Sequence, residues 1–331
     1  MNALQVPVVV AGTGLHLPER VVTNDDLAQM IDTSDEWIVS RTGIRERRWL
    51  APELAVSDMC VAAARPALDE AGLLASELDV IIVATYTWDQ PLPSTALIVK
   101  EAIGAHKALT LDVTHAACAN GLQAAMLAAH LLQTSTARSV LVIAADCASR
   151  VTDPEERTTR IFFGDAAGAA VLRRGDVEGS GLLSWDFGSE LSHDVEIRAG
   201  GSRRPTSAAT IEAREHYVSM NGRTVWETAT RWLPDSILKA VDKARMSVGD
   251  IDHFFLHQAN LNIIKAAVEK LGVSMDRAPV TLDRLGNTGS AGVFTALHQS
   301  YSQGLVRQGD TFVMSAIGAG FQWGTLCFRH A

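Results

Sequence analysis

Short runs of apolar residues with no polar alternation recur along the chain. Val80-Ile-Ile-Val-Ala84, Ser139-Val-Leu-Val-Ile-Ala-Ala145 and Thr311-Phe-Val-Met-Ser-Ala316 are the clearest. Runs this short with no polar alternation predict strands buried on both faces, in sheets covered by helices. Between them lie segments of helical character. The Ala/Leu-rich stretch 121–132 precedes the second strand, and Gly292–Tyr301 precedes the third. Strands alternating with helices predict an α/β fold. Ser34-Asp-Glu-Trp-Ile-Val-Ser-Arg41 reads as a short helix capped by Ser34 and closed by the Thr-Gly turn at 42–43. Its Trp37 and Arg41 are four apart and share a face. Residues 185–210 mix Gly, Ser, His and charge, which predicts a loop-rich insertion with weak strands and an exposed turn at Arg203, Arg204 and Pro205.

The pattern repeats. Ala67 to Ala84 reads helix, loop, buried strand; Ala240 to His257 has the same layout without gaps, at an offset of 173 residues. Identities include Ala67/Ala240, Asp69/Asp242, Ala71/Ala244 and Asp79/Asp252. A continuous match with the same order of elements indicates duplication. Downstream, the first copy reaches Cys118 at a turn before an Ala-rich helix, and the second reaches Asn287 in Leu285-Gly-Asn-Thr-Gly-Ser-Ala-Gly-Val293, also before a helix. The expectation is two related α/β halves, 1–172 and 173–331. Packed about a pseudo-twofold axis, they bring corresponding strand ends together, where ligands of α/β sheets bind.

Composition adds exclusions. The 331 residues are 47% hydrophobic and 20% charged, ordinary for a globular protein with a sizeable core. The net charge of -9 argues against non-specific nucleic-acid binding. The first residues, Met1-Asn-Ala-Leu-Gln-Val-Pro, lack the basic and apolar regions of a signal peptide. No apolar run reaches the roughly 18 residues of a membrane span. Cys60, Cys118, Cys147 and Cys327 show no metal-ligand spacing and no paired motif. The expectation is a cytoplasmic protein with reduced thiols, no metal and no tightly bound cofactor.

Cys118 stands apart from the other cysteines. It lies in Asp112-Val-Thr-His-Ala-Ala-Cys118-Ala-Asn-Gly121, at a strand-to-helix turn with small neighbours. Unpaired N–H groups at a helix start favour an anion, which predicts a lowered thiol pKa and a nucleophile. His257 ends the strand Phe254-Phe-Leu-His257 and begins His-Gln-Ala-Asn260. It can transfer a proton or donate a hydrogen bond to an enolate oxygen. Asn287 can donate but cannot act as a base. Gly318-Ala-Gly-Phe-Gln-Trp-Gly324 follows the last buried strand and predicts a close backbone approach to Cys118, with the Ala319 N–H as a second oxyanion donor beside that of Cys118. Such a set suits attack on a thioester; a Cys/His/Asn set is also that of cysteine proteases, and at this point hydrolysis stands beside acyl transfer. Phe163-Gly-Asp-Ala-Ala-Gly-Ala169 reads as a packing turn with a structural Asp165, since its glycines are not spaced for a dinucleotide.

Together these runs resemble the thiolase-like condensing enzymes, especially β-ketoacyl-acyl carrier protein synthase III. The resemblance spans nearly the whole chain. Its markers are Asp35-Glu-Trp-Ile, Arg41-Thr-Gly-Ile-Arg45, Ala116-Ala-Cys118-Ala, Phe163-Gly-Asp165, Met220-Asn-Gly-Arg-Thr-Val225, His257-Gln-Ala-Asn260, Gly286-Asn-Thr288 and Gly320-Phe-Gln-Trp-Gly324. It implies the duplicated five-layer α/β/α/β/α thiolase fold and a homodimer. It implies that Cys118 takes an acyl group from acyl-coenzyme A, and that His257 and Asn287 stabilise the enolate formed when a malonyl thioester on an acyl carrier protein loses carbon dioxide. It further implies that the Ala319 and Cys118 N–H groups form the oxyanion hole, that Trp37 stacks on adenine, that Arg41 and Arg157 contact the nucleotide end of coenzyme A, and that Asn260 holds the pantetheine arm or the active-site turn.

Departures from the family pattern shape the expected substrate. Leu92 replaces a usual aromatic, Trp88 adds a ring nearby, Trp226 replaces a phenylalanine and His115 an alanine. Asn262 and Glu227 stand where basic residues are common on the carrier-protein face, with Arg231 or Lys265 as substitutes. Decarboxylative Claisen condensation, in fatty-acid or polyketide synthesis, is the leading expectation. The alternative is an acyltransferase of a specialised pathway that moves an acyl group without condensation.

Overall fold

The structure is a computed structural model that describes residues 4–134 and 136–331; residues 1–3, part of the segment read for a leader, lie outside the described residues. The expected buried strands form two mixed sheets. The first contains β1 (Val8–His16), β2 (Val80–Ala84), β3 (Leu109–Val113), β4 (Ser139–Cys147) and β5 (Asp165–Arg174) in the order β1-β5-β4-β2-β3. The second contains β6 (Gly181–Ser189), β7 (His253–Leu256), β8 (Thr311–Gly318) and β9 (Gln322–Arg329) in the order β7-β8-β9-β6. Read from β6, the second sheet repeats the first four places of the first sheet. Pair directions repeat too: β2 and β4 are parallel, as are β7 and β8, and the remaining neighbours in these places are antiparallel.

All nine residues of β4 are buried, and successive side chains enter different cores. Val140, Val142 and Ala144 face a core shared with α4 (Asn120–Leu131) and α7 (Gly292–Ser302), which also contacts Phe255, Met314 and Leu326 of the second sheet. Leu141, Ile143 and Ala145 face a second core, against α2 (Val56–Ala71) and α3 (Thr95–Ile103). A third core joins Phe254, Leu256 and Val313 of the second sheet to α5 (Gly222–Lys243) and α6 (Leu261–Leu271). Alanines at 124, 125, 128 and 129 are the buried face of α4, which explains its composition.

Two recurring details tie the repeat to structure. Short turns occur at Ala75–Glu77 and Val248–Asp250, at the sequence offset. The repeated aspartates do one job: Asp79 accepts from the Ser139 N–H at 3.1 Å and Asp252 from the Thr311 N–H at 2.8 Å, each fixing the start of a central strand. The expectation for 185–210 fails at its beginning. Residues 185–189 belong to β6, paired in register with β9 from Ser189↔Gln322 onward. Their mixed polarity reflects an edge strand, whose side chains are less completely covered than those of β8. Beyond Ser189 the segment holds the two-residue strand Val195–Glu196 and the start of a short helix at Ala208, and Arg203, Arg204 and Pro205 are exposed as expected.

Candidate active site

Cys118 sits in a one-turn helix, Ala117–Ala119, that runs directly into α4. The tight entry is made by Ala117, whose φ of 43° is left-handed. Asn120 accepts from the Ala116 N–H at 2.7 Å and closes the turn. Cys118 is therefore at a helix start, as its context predicts. Its expected low pKa is not found. Burial, with the Asp146 carboxyl nearby, pushes the thiol up to about 12, against the smaller lowering effects of the Cys118 N–H and the Asn287 amide. Small neighbours enclose the sulfur, and the local sequence does not reveal that Asp146, next to last in β4, lies close to it. Cys118 therefore rests as a neutral thiol.

His257 follows β7 and continues its ladder by donating its N–H to the Ser315 carbonyl at 2.8 Å. Burial holds its imidazole down at about 4, so it is neutral at physiological pH, and among the described residues Nδ1 meets no hydrogen-bond partner. Asn287 is carried by the loop after Leu285. Its backbone pairs with the Phe162–Gly164 segment: its N–H donates to Phe162 O at 2.7 Å and its carbonyl accepts from Gly164 N–H at 3.0 Å. Its Oδ1 accepts from Gly289 N–H at 3.0 Å, which leaves its NH2 to face the Cys118 sulfur. Gly318 and Ala319 close the other wall at the end of β8. An added Cβ at Gly318 would lie 2.0 Å from Ala116 O and 2.9 Å from Cys118 N, which is the close approach expected of the glycine turn.

These groups line one pocket of about 140 Å³ with Cys118, His257, Asn287 and Ala319 in its wall. Val225, Trp226, Leu233, Ile263 and Phe321 supply an apolar lining. One neutral thiol, a neutral imidazole, a carboxamide and backbone N–H groups in an apolar cleft can hold an acyl group and donate to an oxyanion or enolate.

At the expected nucleotide end, Ser34 caps α1 (Asp35–Thr42) by accepting from Trp37 N–H at 3.2 Å. The guanidinium carbons of Arg41 and Arg157 lie 4.9 and 5.2 Å from the Trp37 ring centre. Arg157 also donates to the Asp32 carbonyl at 3.1 Å. Asn260 caps α6, accepting from Asn262 N–H at 2.8 Å, and donates to Arg41 O at 3.1 Å. It lines the pocket as well, so it joins α1 to the cleft. Sequence reasoning missed Asp146. The available signal was a lone acid closing an otherwise apolar strand. Among the described residues, no group of three or more His, Cys, Asp or Glu is placed to hold a metal ion, and no helix is long and apolar enough to cross a membrane.

Comparison with known proteins gives one consistent result. The profile of 3-oxoacyl-[acyl-carrier-protein] synthase III matches residues 111–191, and that of its C-terminal region matches 241–330. The β-ketoacyl-[acyl-carrier-protein] synthase III of Symbiobacterium thermophilum is 44% identical over 325 residues, covering 98% of each chain. The crystal structure of 3-oxoacyl-[acyl-carrier-protein] synthase III from Aquifex aeolicus is 35% identical with a TM-score of 0.89, covering 98% of this chain and 100% of the other. The priming β-ketosynthase of the R1128 polyketide pathway is 30% identical with a TM-score of 0.91, covering 100% of this chain and 98% of the other.

Proposed function

Since the chain belongs to the β-ketoacyl-[acyl-carrier-protein] synthase III family, a family of condensing acyltransferases, we propose that it joins an acyl group from coenzyme A to a malonyl thioester through acyl-Cys118. The observation that carries this reading is the convergence of Cys118, His257, Asn287 and Ala319 on one apolar pocket from four separate stretches of sequence. In the first step the Cys118 sulfur attacks the acyl-coenzyme A carbonyl. The thiol proton ends on the departing coenzyme A sulfur, with neutral His257 available to carry it. The N–H groups of Cys118 and Ala319 hold the oxyanion. In the second step malonyl-carrier protein loses carbon dioxide, and His257 and Asn287 donate to the resulting thioester enolate. The enolate carbon attacks acyl-Cys118, the sulfur leaves, and a β-ketoacyl thioester is formed. Trp37, Arg41 and Arg157 receive the nucleotide of coenzyme A, and Asn260 the pantetheine side.

The wider reading is two related halves, 1–172 and 173–331, stacked as five layers, α/β/α/β/α. Repeated strand order and three helix-lined cores support it. Leu92 is 84% exposed and β3 is an edge strand, which supports a homodimer. Four free thiols support a cytoplasmic setting.

A second reading, acyl transfer without condensation, draws on the altered docking face. Asn262 is tied to Arg41 O at 3.0 Å and Glu227 is ion-paired with Arg223 at 2.9 Å, so neither position offers a positive charge to a carrier. Intact-protein mass spectrometry with a panel of acyl-coenzyme A compounds tests both. A Cys118-dependent adduct identifies the primer, and no adduct with any donor sinks the covalent mechanism. Addition of malonyl-carrier protein then gives carbon dioxide and a product longer by two carbons for condensation, or the unchanged acyl group on the acceptor for transfer. Asn287→Ala blocks condensation more than adduct formation.

A further inference from the structure

The turn that carries Cys118 has a twin. Ala117–Ala119 opens α4 and Gly289–Ala291 opens α7, 172 positions apart (117 to 289), so the residue equivalent to Cys118 is Ser290. This refines the sequence-based match, which set Asn287 opposite Cys118. The two turns touch. Ser290 Oγ donates to the carbonyl of Ala117 at 3.1 Å. Ala117 is the residue in left-handed conformation, with φ 43°, immediately before the nucleophile. That conformation is unfavourable for a residue with a side chain and persists only where surroundings hold it.

Ser290 is itself anchored. Its N–H donates to Asp146 Oδ2 at 2.7 Å, and its hydroxyl also lies within hydrogen-bonding reach of the Asp146 carboxyl. Asp146 is fully buried at the end of β4, and its Oδ1 accepts from Thr85 Oγ1 and Tyr86 N–H at 2.9 Å and from Thr87 Oγ1 at 3.2 Å. One residue before Ser290, Gly289 N–H fixes the Asn287 side chain. Gly289 has φ +57°, and a Cβ there would lie 2.4 Å from Asp146 Oδ2. The short segment from Asn287 to Ser290 therefore binds the amide facing the sulfur, the strained peptide before the sulfur and a rigid buried carboxyl into one unit.

We propose that Ser290, anchored by Asp146, is a positioning residue that sets Cys118 against Asn287 by holding the Ala117 peptide. The inference rests on Cys118 as the acyl-holding nucleophile. A merely structural Ser290 would lower stability and leave the rate of chemistry alone. A positioning Ser290 acts on the acylation step, because a misplacement of about 1 Å at a reacting atom costs up to about 100-fold.

The test is single-turnover acylation by acyl-coenzyme A, read by intact-protein mass, for wild type, Ser290→Ala, Asp146→Asn and the double variant. Ser290→Ala removes the hydroxyl and keeps the N–H bonded to Asp146. Its maximal acylation rate falls about tenfold or more, with half-saturation by acyl-coenzyme A within about twofold of wild type. Because both residues act through one peptide, the double variant loses no more than about twofold beyond the worse single variant. An unchanged maximal rate in Ser290→Ala, a loss confined to half-saturation, or losses that multiply in the double variant overturn the inference. Absence of an adduct in the wild type overturns instead the reading of Cys118; an adduct in the wild type with Ser290→Ala unchanged overturns this inference alone.

Discussion

Replacing Gly318 by alanine is the most direct probe of the wall opposite Asn287. The new methyl carbon would lie 2.0 Å from the Ala116 carbonyl oxygen and 2.9 Å from the nitrogens of Cys118 and Ala119. Ordinary contact begins near 3.4 Å, so β8 and the Cys118 turn must part by about 1.4 Å (from 2.0 to 3.4). No swinging side chain can absorb this, because every atom in the way is backbone. The turn is also held by Asn120 and Ser290. Overpacking of this kind costs about 1–3 kcal/mol of stability, which leaves a domain of ordinary stability folded. Catalysis should suffer more, since the Ala319 and Cys118 N–H groups move apart and losing one oxyanion donor costs about 100- to 1,000-fold. Gly318→Ala therefore melts a few degrees lower, binds coenzyme A normally and forms the Cys118 adduct at least about 100 times more slowly. Single-turnover acylation by intact mass, beside a thermal melt and a coenzyme A titration, reads all three. Acylation within about twofold of wild type would refute the assignment of this wall as the oxyanion site.

Other outcomes follow from the same geometry. The folded pKa of His257, about 4 against 6.5, means that the unfolded chain takes up a proton the folded chain refuses between those values. Stability thus falls as pH drops from 6.5 toward 4, by roughly 3 kcal/mol in all from this residue, and is insensitive to it above 6.5. His257→Gln flattens that acid limb of the melting curve; superimposable limbs would count against it. Trp37→Ala removes the face under Arg41 and Arg157 and raises the KM for acyl-coenzyme A about tenfold at constant kcat; an unchanged KM places the nucleotide elsewhere. Arg47 is fully buried and donates to Val22 O at 3.3 Å, Asn24 Oδ1 at 2.8 Å and Ile161 O at 2.7 Å. Arg47→Leu strands these acceptors and costs about 3 kcal/mol or more in a urea titration; a loss under about 1 kcal/mol would show that the site collapses around leucine.

Much of this arrangement is legible in residue order. Uniformly apolar runs gave the central strands, and the gapless repeat of helix, loop and strand brought Cys118 and Asn287 to neighbouring turns. Four-residue spacing put Trp37 and Arg41 on one helix face, and a glycine at 318 marked the approach to Cys118. What escaped depends on distance through space. Arg157 reaches Trp37 from another part of the chain, so only the family resemblance could name it. Asp146 is one polar letter at the end of an apolar strand, and its effect on the thiol depends on burial that Ala-Ala-Cys-Ala does not encode. Residues 185–189, the end of β6, were read into a loop-rich insertion with weak strands because an edge strand needs less apolar sequence than a central one. Ser290 drew no reading of its own, since what sets it apart is the carbonyl it meets from the other turn.

The twinned turns carry a lesson about division of labour. Cys118 and Ser290 occupy the same seat in two copies of one device and differ in outer-shell chemistry by sulfur against oxygen. Yet Asn287 and Gly318 crowd only the first seat, while the second spends its side chain on bracing its twin. On the proposed acyl-holding role of Cys118, exchanging the two side chains keeps the composition and nearly all of the volume yet abolishes adduct formation. What distinguishes the two seats is the company each keeps.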